Sequence, residues 1–262
     1  MSLSLFSLKG RNVLVTGGAQ GIGFVLAKGL GEAGATVFIN ARSQDKLDIA
    51  VDSLKKLGIE SKGFRFDITD SKQVKDAVTK IENEHGPIDV LVNNAGIIKR
   101  AAAEDLDLED WNQVIQTDLT APFILSKYVG RFMIKRRQGK IINICSLMSE
   151  IGRDSVAAYA AAKGGLKMLT RNLATEWGEH NIQVNGIGPG YIATSINTEY
   201  RAEGNPLNKY ILSRTPAARW GTPDDLVGAA VCLSSPASDF VNGQIIYVDG
   251  GLLASFGKTS ND

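Results

Sequence analysis

Tyr159 and Lys163 stand four residues apart in the alanine-rich run Ala157-Ala158-Tyr159-Ala160-Ala161-Ala162-Lys163. On a helix that spacing puts both side chains on one face. A phenol is too weak an acid to exchange protons readily near neutrality. An ammonium one turn away, together with a positive charge carried by a cofactor, favours the phenolate and makes the tyrosine a usable acid and base. Ser146 lies thirteen residues earlier, where its hydroxyl can donate to the same substrate oxygen and stabilise charge as it develops. Taken alone, Tyr-x-x-x-Lys also describes an ordinary amphipathic helix surface.

Upstream, Thr16-Gly17-Gly18-Ala19-Gln20-Gly21-Ile22-Gly23 leads from a β-branched run into a helical one. Glycines permit a tight turn and let bare backbone approach a pyrophosphate, whose charge is favoured by the free N–H groups and the dipole at a helix start. The spacing is G-x-x-x-G-x-G rather than G-x-G-x-x-G, and a glycine-rich turn with no ligand is the plainer alternative. About twenty residues on, where NAD binders place Asp or Glu to hold the ribose 2′-hydroxyl, the chain has Asn40 and then Arg42. A carboxylate repels a 2′-phosphate, whereas an amide and a guanidinium can bind one. NADP(H) is therefore favoured over NAD(H), with a solvated loop position as the other reading of Arg42.

Asp67-Ile68 follows the third strand and Asn93-Asn94-Ala95-Gly96 the fourth, at the edge where open parallel sheets carry ligands. Ala95-Gly96 lets backbone pack close to a ribose, although Asn-Asn-Ala-Gly also reads as an ordinary turn.

The elements that must position these residues alternate along the chain. Short β-branched runs at 13–16, 36–40, 90–93, 140–144, 183–187 and 244–248 read as strands buried on both faces, with a further strand ending ahead of Asp67. Helical patterns occupy 22–33, 46–57, 71–84, 108–135, 158–177 and 223–234, several closed by Gly34, Gly58, Gly86 or Gly178. This alternation predicts an α/β domain, a mostly parallel sheet with helices on both sides and right-handed crossovers. No repeat or linker divides the chain, so residues 1–262 form one expected domain. The polar stretch 195–215, containing Gly204, Asn205 and Pro206, reads as an insertion past the sixth strand, where lids over sites tend to sit.

Composition narrows the function classes. Hydrophobic residues make up 44% and charged residues 22%, an ordinary globular balance. Twenty-nine basic against 28 acidic side chains give a net charge of +1, with no run of like charge to suggest nucleic acid or an anionic membrane as partner. The two cysteines, Cys145 and Cys232, have apolar neighbours and read as buried hydrophobes in a reducing cytoplasm. With only His85 and His180, neither a metal site nor a histidine triad is expected. Residues 1–11 lack the pattern of a signal peptide, and no apolar stretch is long enough to span a membrane.

The combination of glycine turn, strand-end serine and helical Tyr-x-x-x-Lys resembles the short-chain dehydrogenase/reductase family. The resemblance runs from 16 to 251 and includes Asn93-Asn94-Ala95-Gly96, Pro189-Gly190 with Thr194, and Val248-Asp249-Gly250-Gly251. It implies a single doubly wound, Rossmann-like parallel sheet of about seven strands and an NAD(P)-dependent oxidoreductase. It further implies that Ser146 polarises the substrate oxygen, Tyr159 passes the proton, and Lys163 binds the nicotinamide ribose. Pro189, Gly190, Ile192 and Thr194 would cover the nicotinamide. A cytoplasmic homotetramer is implied too, with 244–248 and 158–177 at subunit contacts. One position departs: many relatives carry an asparagine that wires a proton relay to bulk water, and here Gln116-Thr117-Asp118-Leu119 holds an acid.

Within the family, Ile142-Asn143-Ile144-Cys145-Ser146-Leu147-Met148-Ser149-Glu150, the run 159–170 and Asn185-Gly186-Ile187-Gly188-Pro189-Gly190-Tyr191 look most like gluconate 5-dehydrogenases. These interconvert D-gluconate and 5-keto-D-gluconate, so the resemblance implies a small sugar-acid substrate. Such a carboxylate needs a cation, and Lys99-Arg100 follows the fourth strand; Arg100 is the expected partner, a solvated basic pair the alternative. Another sugar or polyol dehydrogenase remains open, as does a 3-oxoacyl carrier-protein reductase, although the near-neutral charge advertises no basic docking surface. A non-catalytic NADP-binding regulator usually has a broken Ser-Tyr-Lys set, and this one is intact.

Overall fold

In the computed structural model, which describes residues 3–256, Val13, Leu14 and Val15 are all fully buried. Val13 and Val15 belong to one apolar cluster and Leu14 to another, so strand β1 (Asn12–Thr16) is covered on both faces. That is the burial a parallel strand needs, because its crossover helices lie on both sides of the sheet. Each fully buried Val or Leu side chain contributes roughly 1.5–3 kcal/mol.

The other strands are β2 (Thr36–Ala41), β3 (Ser61–Arg65), β4 (Val90–Asn93), β5 (Gly139–Ile144), β6 (Ile182–Pro189) and β7 (Ile245–Val248). They form one sheet in the order β3-β2-β1-β4-β5-β6-β7. Every pairing is parallel. One face is packed by α1 (Gly21–Glu32), α2 (Gln44–Lys56) and α8 (Val227–Ser234), through Leu26, Leu30, Leu54 and Leu233. The other is packed by α3 (Ser71–Glu84), α5 (Ala121–Arg136) and α6 (Ala157–Trp177), through Val78, Ile81, Leu125, Val129 and Leu173. The direction of strand addition reverses between β1 and β4, and in such sheets that switch point opens a crevice at the strand C-termini.

Four details differ from the pattern of the sequence. Strand β3 has only Ser61 buried, with Lys62, Gly63 and Arg65 exposed. It carries no apolar alternation and forms because β2 offers a free edge, pairing from Val37↔Ser61 to Ala41↔Arg65. The expected helix 108–135 is two helices, α4 (Leu108–Ile115) and α5, joined by a π-helical turn at Gln116–Thr120. The 195–215 stretch contains two 3-10 turns and a helix, α7 (Pro206–Arg214), capped by Asn205, whose side chain accepts from the Leu207 N–H. Finally, Gly34, Gly58 and Gly86 do take positive φ after their helices, but Gly178 does not. The chain turns instead at Asn181, with φ 58°.

Candidate active site

The site is built where β1, β4, β5 and β6 end. At the first of these ends, Gly17 and Gly21 have φ of 62° and 56°, which only glycine adopts freely. Gly23 is required by proximity: a Cβ there would lie 2.3 Å from the Gly17 carbonyl oxygen and 2.4 Å from Asn94 Nδ2. No side chain caps α1 at Gln20, so the first N–H groups of the helix remain available to an anion. A backbone cradle stripped of side chains, at a helix start with uncapped donors, fits the pyrophosphate of a dinucleotide.

Thr16 and Asn94 hold this cradle together. Thr16 Oγ1 accepts from the N–H groups of Asn94 (3.0 Å) and Ala95 (3.2 Å), and Asn94 Nδ2 donates to the Thr16 carbonyl at 2.9 Å. A cavity of about 1800 Å3 opens above, well beyond the ~300–1,000 Å3 of a pocket for one drug-sized ligand. Its walls include Gly17, Gln20, Gly21, Ile22, Gly23, Asn40, Arg42, Asp67, Ile68, Asn94, Ala95, Gly96, Arg100, Ser146, Tyr159, Lys163, Pro189, Gly190, Ile192 and Thr194. The sequence-predicted residues thus come together with one exception: Thr16 is 1% exposed and sits behind the wall, so its role is to brace the turn.

Asn40 also differs from expectation. Its Nδ2 donates to the carbonyls of Phe64 (3.2 Å) and Phe66 (2.9 Å), which ties β2 to the chain beyond β3. Both amide hydrogens are engaged by backbone, whereas Arg42, two residues on, is exposed and lines the cavity.

At the chemical end, a short 3-10 turn at Leu147–Ser149 fixes Ser146. Ser146 Oγ accepts from the Met148 N–H at 3.2 Å, leaving its own proton to be donated into the cavity. Ser149 Oγ donates to the Lys163 carbonyl at 2.9 Å, fastening this turn to α6. Tyr159 rests against the apolar group of Val114, Ala158 and Ala162. Lys163 Nζ lies 5.5 Å from the centre of the Tyr159 ring and donates to the Ile144 carbonyl at 3.0 Å. It is also 3.2 Å from Asp118 Oδ2. Burial alone lowers the Lys163 pKa, but its acidic neighbours, Asp118 foremost and then Tyr159 and Cys145 as they ionise, outweigh it and hold the ammonium above the ordinary lysine value.

Asp118 lies on the π-helical turn and is wholly buried, its Oδ1 accepting from the Ile97 N–H at 2.8 Å. Gly96 is required beside it, since a Cβ there would come 2.7 Å from Oδ2.

Past β4, where Lys99 and Arg100 line the cavity, the basic pair separates. Lys99 is bound to Asp110 at 2.8 Å, whereas Arg100 lies over the ring of Tyr200, 5.6 Å from its centre. Tyr200 belongs to the 195–215 stretch, and Ser195 and Asn197 of that stretch line the cavity. A second cation escaped the sequence analysis. Arg153 lines the same cavity, with its side chain 24% exposed and, among the described residues, Asp154 as its charged partner at 3.9 Å from Nε. Its place between Ser146 and Tyr159 was the available signal. Tyr191 and Trp220, edge to face at 5.8 Å, form part of the far wall.

Fold and site together define an NAD(P)-dependent oxidoreductase. The chain belongs to the short-chain dehydrogenase family, whose model, described as short chain dehydrogenase, matches residues 11–205. It is 57% identical over the full length of both chains to a 2-dehydro-3-deoxy-D-gluconate 5-dehydrogenase of Formosa agariphila. It is 50% identical to a 5-keto-D-gluconate 5-reductase of Escherichia coli, over 96% of this chain and 98% of the relative. Among solved structures it is similar to a gluconate 5-dehydrogenase from Burkholderia cenocepacia in complex with NADP and tartrate. There the TM-score is 0.94 and the identity 42%, over 97% of this chain and 100% of that one.

Proposed function

We propose that this enzyme interconverts D-gluconate and 5-keto-D-gluconate with NADP(H). The observation that carries the reading is the convergence of Ser146, Tyr159 and Lys163 on the cavity that also contains the glycine cradle. A bound dinucleotide supplies the hydride chemistry. In oxidation the Tyr159 oxygen takes the proton of the substrate hydroxyl, and in reduction it returns it. The Ser146 hydroxyl donates to the same substrate oxygen, and Lys163, fixed by Ile144 and Asp118, holds positive charge beside the phenol. Pro189, Gly190, Ile192 and Thr194 bound the nicotinamide end. Arg42 faces the 2′-phosphate, which favours NADP(H) over NAD(H). Arg100 faces the substrate carboxylate, with Arg153 as a second cation. The described residues contain no helix long and apolar enough to cross a membrane; a cytoplasmic homotetramer of single-domain chains accords with the family.

The 57% identity to a 2-dehydro-3-deoxy-D-gluconate 5-dehydrogenase favours a second reading within the same chemistry, since both substrates are six-carbon acids that react at C5. Initial rates followed by nicotinamide absorbance, with 5-ketogluconate and NADPH, with 2-dehydro-3-deoxy-D-gluconate and NAD or NADP, and with an acetoacetyl thioester, separate the candidates. The leading reading expects the highest kcat/KM on 5-ketogluconate with NADPH. Higher kcat/KM on 2-dehydro-3-deoxy-D-gluconate establishes the second, and preference for the thioester overturns both.

A further inference from the structure

Asp118 has no solvent exposure. One oxygen is committed to the Ile97 N–H; the other, Oδ2, lies 3.2 Å from Lys163 Nζ without a well-directed hydrogen bond. A buried carboxylate in that position acts mainly through its charge. The other groups around the ammonium come from α6 itself and from the end of β5. Tyr159 lies one turn back on α6, and the Ile144 carbonyl closes the end of β5. Cys145 follows, its thiol pushed by burial up to about 11 and hence neutral at working pH. Lys167, one turn further along α6, is paired with Glu150. Among the described residues, Asp118 is therefore the fixed negative charge that meets Lys163. Burial pushes the Asp118 carboxyl above the ordinary aspartate range, by more than Lys163 and the Ile97 N–H hold it down. Ionised aspartate beside ammonium forms a pair of zero net charge, and removing one partner of such a buried pair leaves the other uncompensated.

We propose that Asp118 is a positioning residue that holds Lys163 in a neutral ion pair, so that the limb of the pH–rate profile set by proton exchange at Tyr159 lies at higher pH than beside an unpaired ammonium. This rests on the reading of Tyr159 as the proton-exchanging group. The sign follows from charge. Lys163 favours the phenolate, Asp118 opposes it, and alcohol oxidation requires the tyrosine deprotonated. Asp118→Asn keeps the shape and an acceptor for the Ile97 N–H while deleting the negative charge. Oxidation then persists to lower pH, with the acid limb moved down by roughly one pH unit.

The same charge change has an equilibrium readout. Oxidised nicotinamide is positive and reduced nicotinamide neutral, so the bare ammonium left by Asp118→Asn weakens NADP+ relative to NADPH by several-fold. Wild type is compared with Asp118→Asn, and with Asp118→Ser in case the asparagine variant does not fold. The acid limb of kcat/KM for D-gluconate oxidation is measured, along with Kd for each cofactor form by fluorescence titration. A downward limb with a raised ratio of Kd for NADP+ to Kd for NADPH supports the assignment. An unmoved limb, or an unchanged ratio in a variant that binds NADPH normally, overturns it. Tyr159→Phe separates the two levels. If that variant keeps its rate and its acid limb, the reading of Tyr159 itself fails; if it is inactive while Asp118→Asn is unshifted, only the role of Asp118 fails.

Discussion

Ser149 donates its hydroxyl to the backbone carbonyl of Lys163 at 2.9 Å, which binds the turn carrying Ser146 to the helix carrying Tyr159. The same hydroxyl accepts from the Ser146 N–H at 3.3 Å. Ser149→Ala removes both bonds, at a cost of about 1–2 kcal/mol in stability. Because the two hydroxyls proposed to meet the substrate oxygen then lose their common anchor, kcat is expected to fall roughly tenfold with the Kd for NADPH unchanged. Thermal melting and steady-state kinetics check the two halves.

Tyr159→Phe deletes one oxygen from a residue whose ring is held by Val114, Ala158 and Ala162. The fold and the cofactor cradle are untouched, while kcat should drop by about 100- to 10,000-fold, the worth of a positioned acid and base. Stopped-flow rates with fluorescence titration of NADPH test this; a variant with near wild-type kcat removes the phenol from the chemistry.

At the end of β2, the two polar residues have different tasks. Asn40 donates to the carbonyls of Phe64 and Phe66, so Asn40→Leu leaves those acceptors without their partner and should cost about 1–3 kcal/mol in stability. Arg42→Ala should leave stability alone and raise the Kd for NADP+ by about ten- to a hundredfold, the worth of a charge-assisted hydrogen bond, with NAD+ binding unaffected. Equal Kd values for NADP+ in Arg42→Ala and wild type place the 2′-phosphate elsewhere.

Two guanidinium groups line the cavity, Arg100 over Tyr200 and Arg153 beside Asp154. Arg100→Leu and Arg153→Leu are each expected to raise KM for 5-ketogluconate by ten- to a hundredfold, since a charged partner contributes about 1.5–3 kcal/mol, with kcat changed less. If neither variant alters KM, the carboxylate is not read by these cations.

A methyl group at Gly23 would lie 2.3 Å from the Gly17 carbonyl oxygen and 2.4 Å from the Asn94 amide nitrogen, far inside van der Waals contact. Gly23→Ala therefore forces the β1–α1 turn away from the β4 loop. Isothermal titration should show cofactor binding weakened at least tenfold, with the more distant Asn205 cap of α7 and its local protection from hydrogen exchange unaltered.

Much of this architecture is legible in the order of residue types. Runs such as Val13, Leu14 and Val15 announce strands with two covered faces, and Gly17 through Gly23 announce a phosphate-type turn, because local geometry there depends on side-chain branching or its absence. The spacing of Tyr159 and Lys163 likewise places them on one helical face before any fold is known. Strand β3 leaves little mark in the sequence, since its residues carry no apolar alternation and its formation depends on the free edge of β2.

The sequence by itself determined the chemistry available: a phenol and an amine one turn apart, a hydroxyl at a strand end, and a glycine turn. Only the tertiary structure decided how these are wired. It put Asn40 and Thr16 into bracing roles, closed Lys99 onto Asp110, brought Arg153 into the cavity, and set Asp118 against Lys163 across forty-five residues of chain. The physical reason is that a side chain's type limits what it can bond, whereas the bond it makes depends on which partners the crossovers bring within hydrogen-bond reach and on whether water is excluded there.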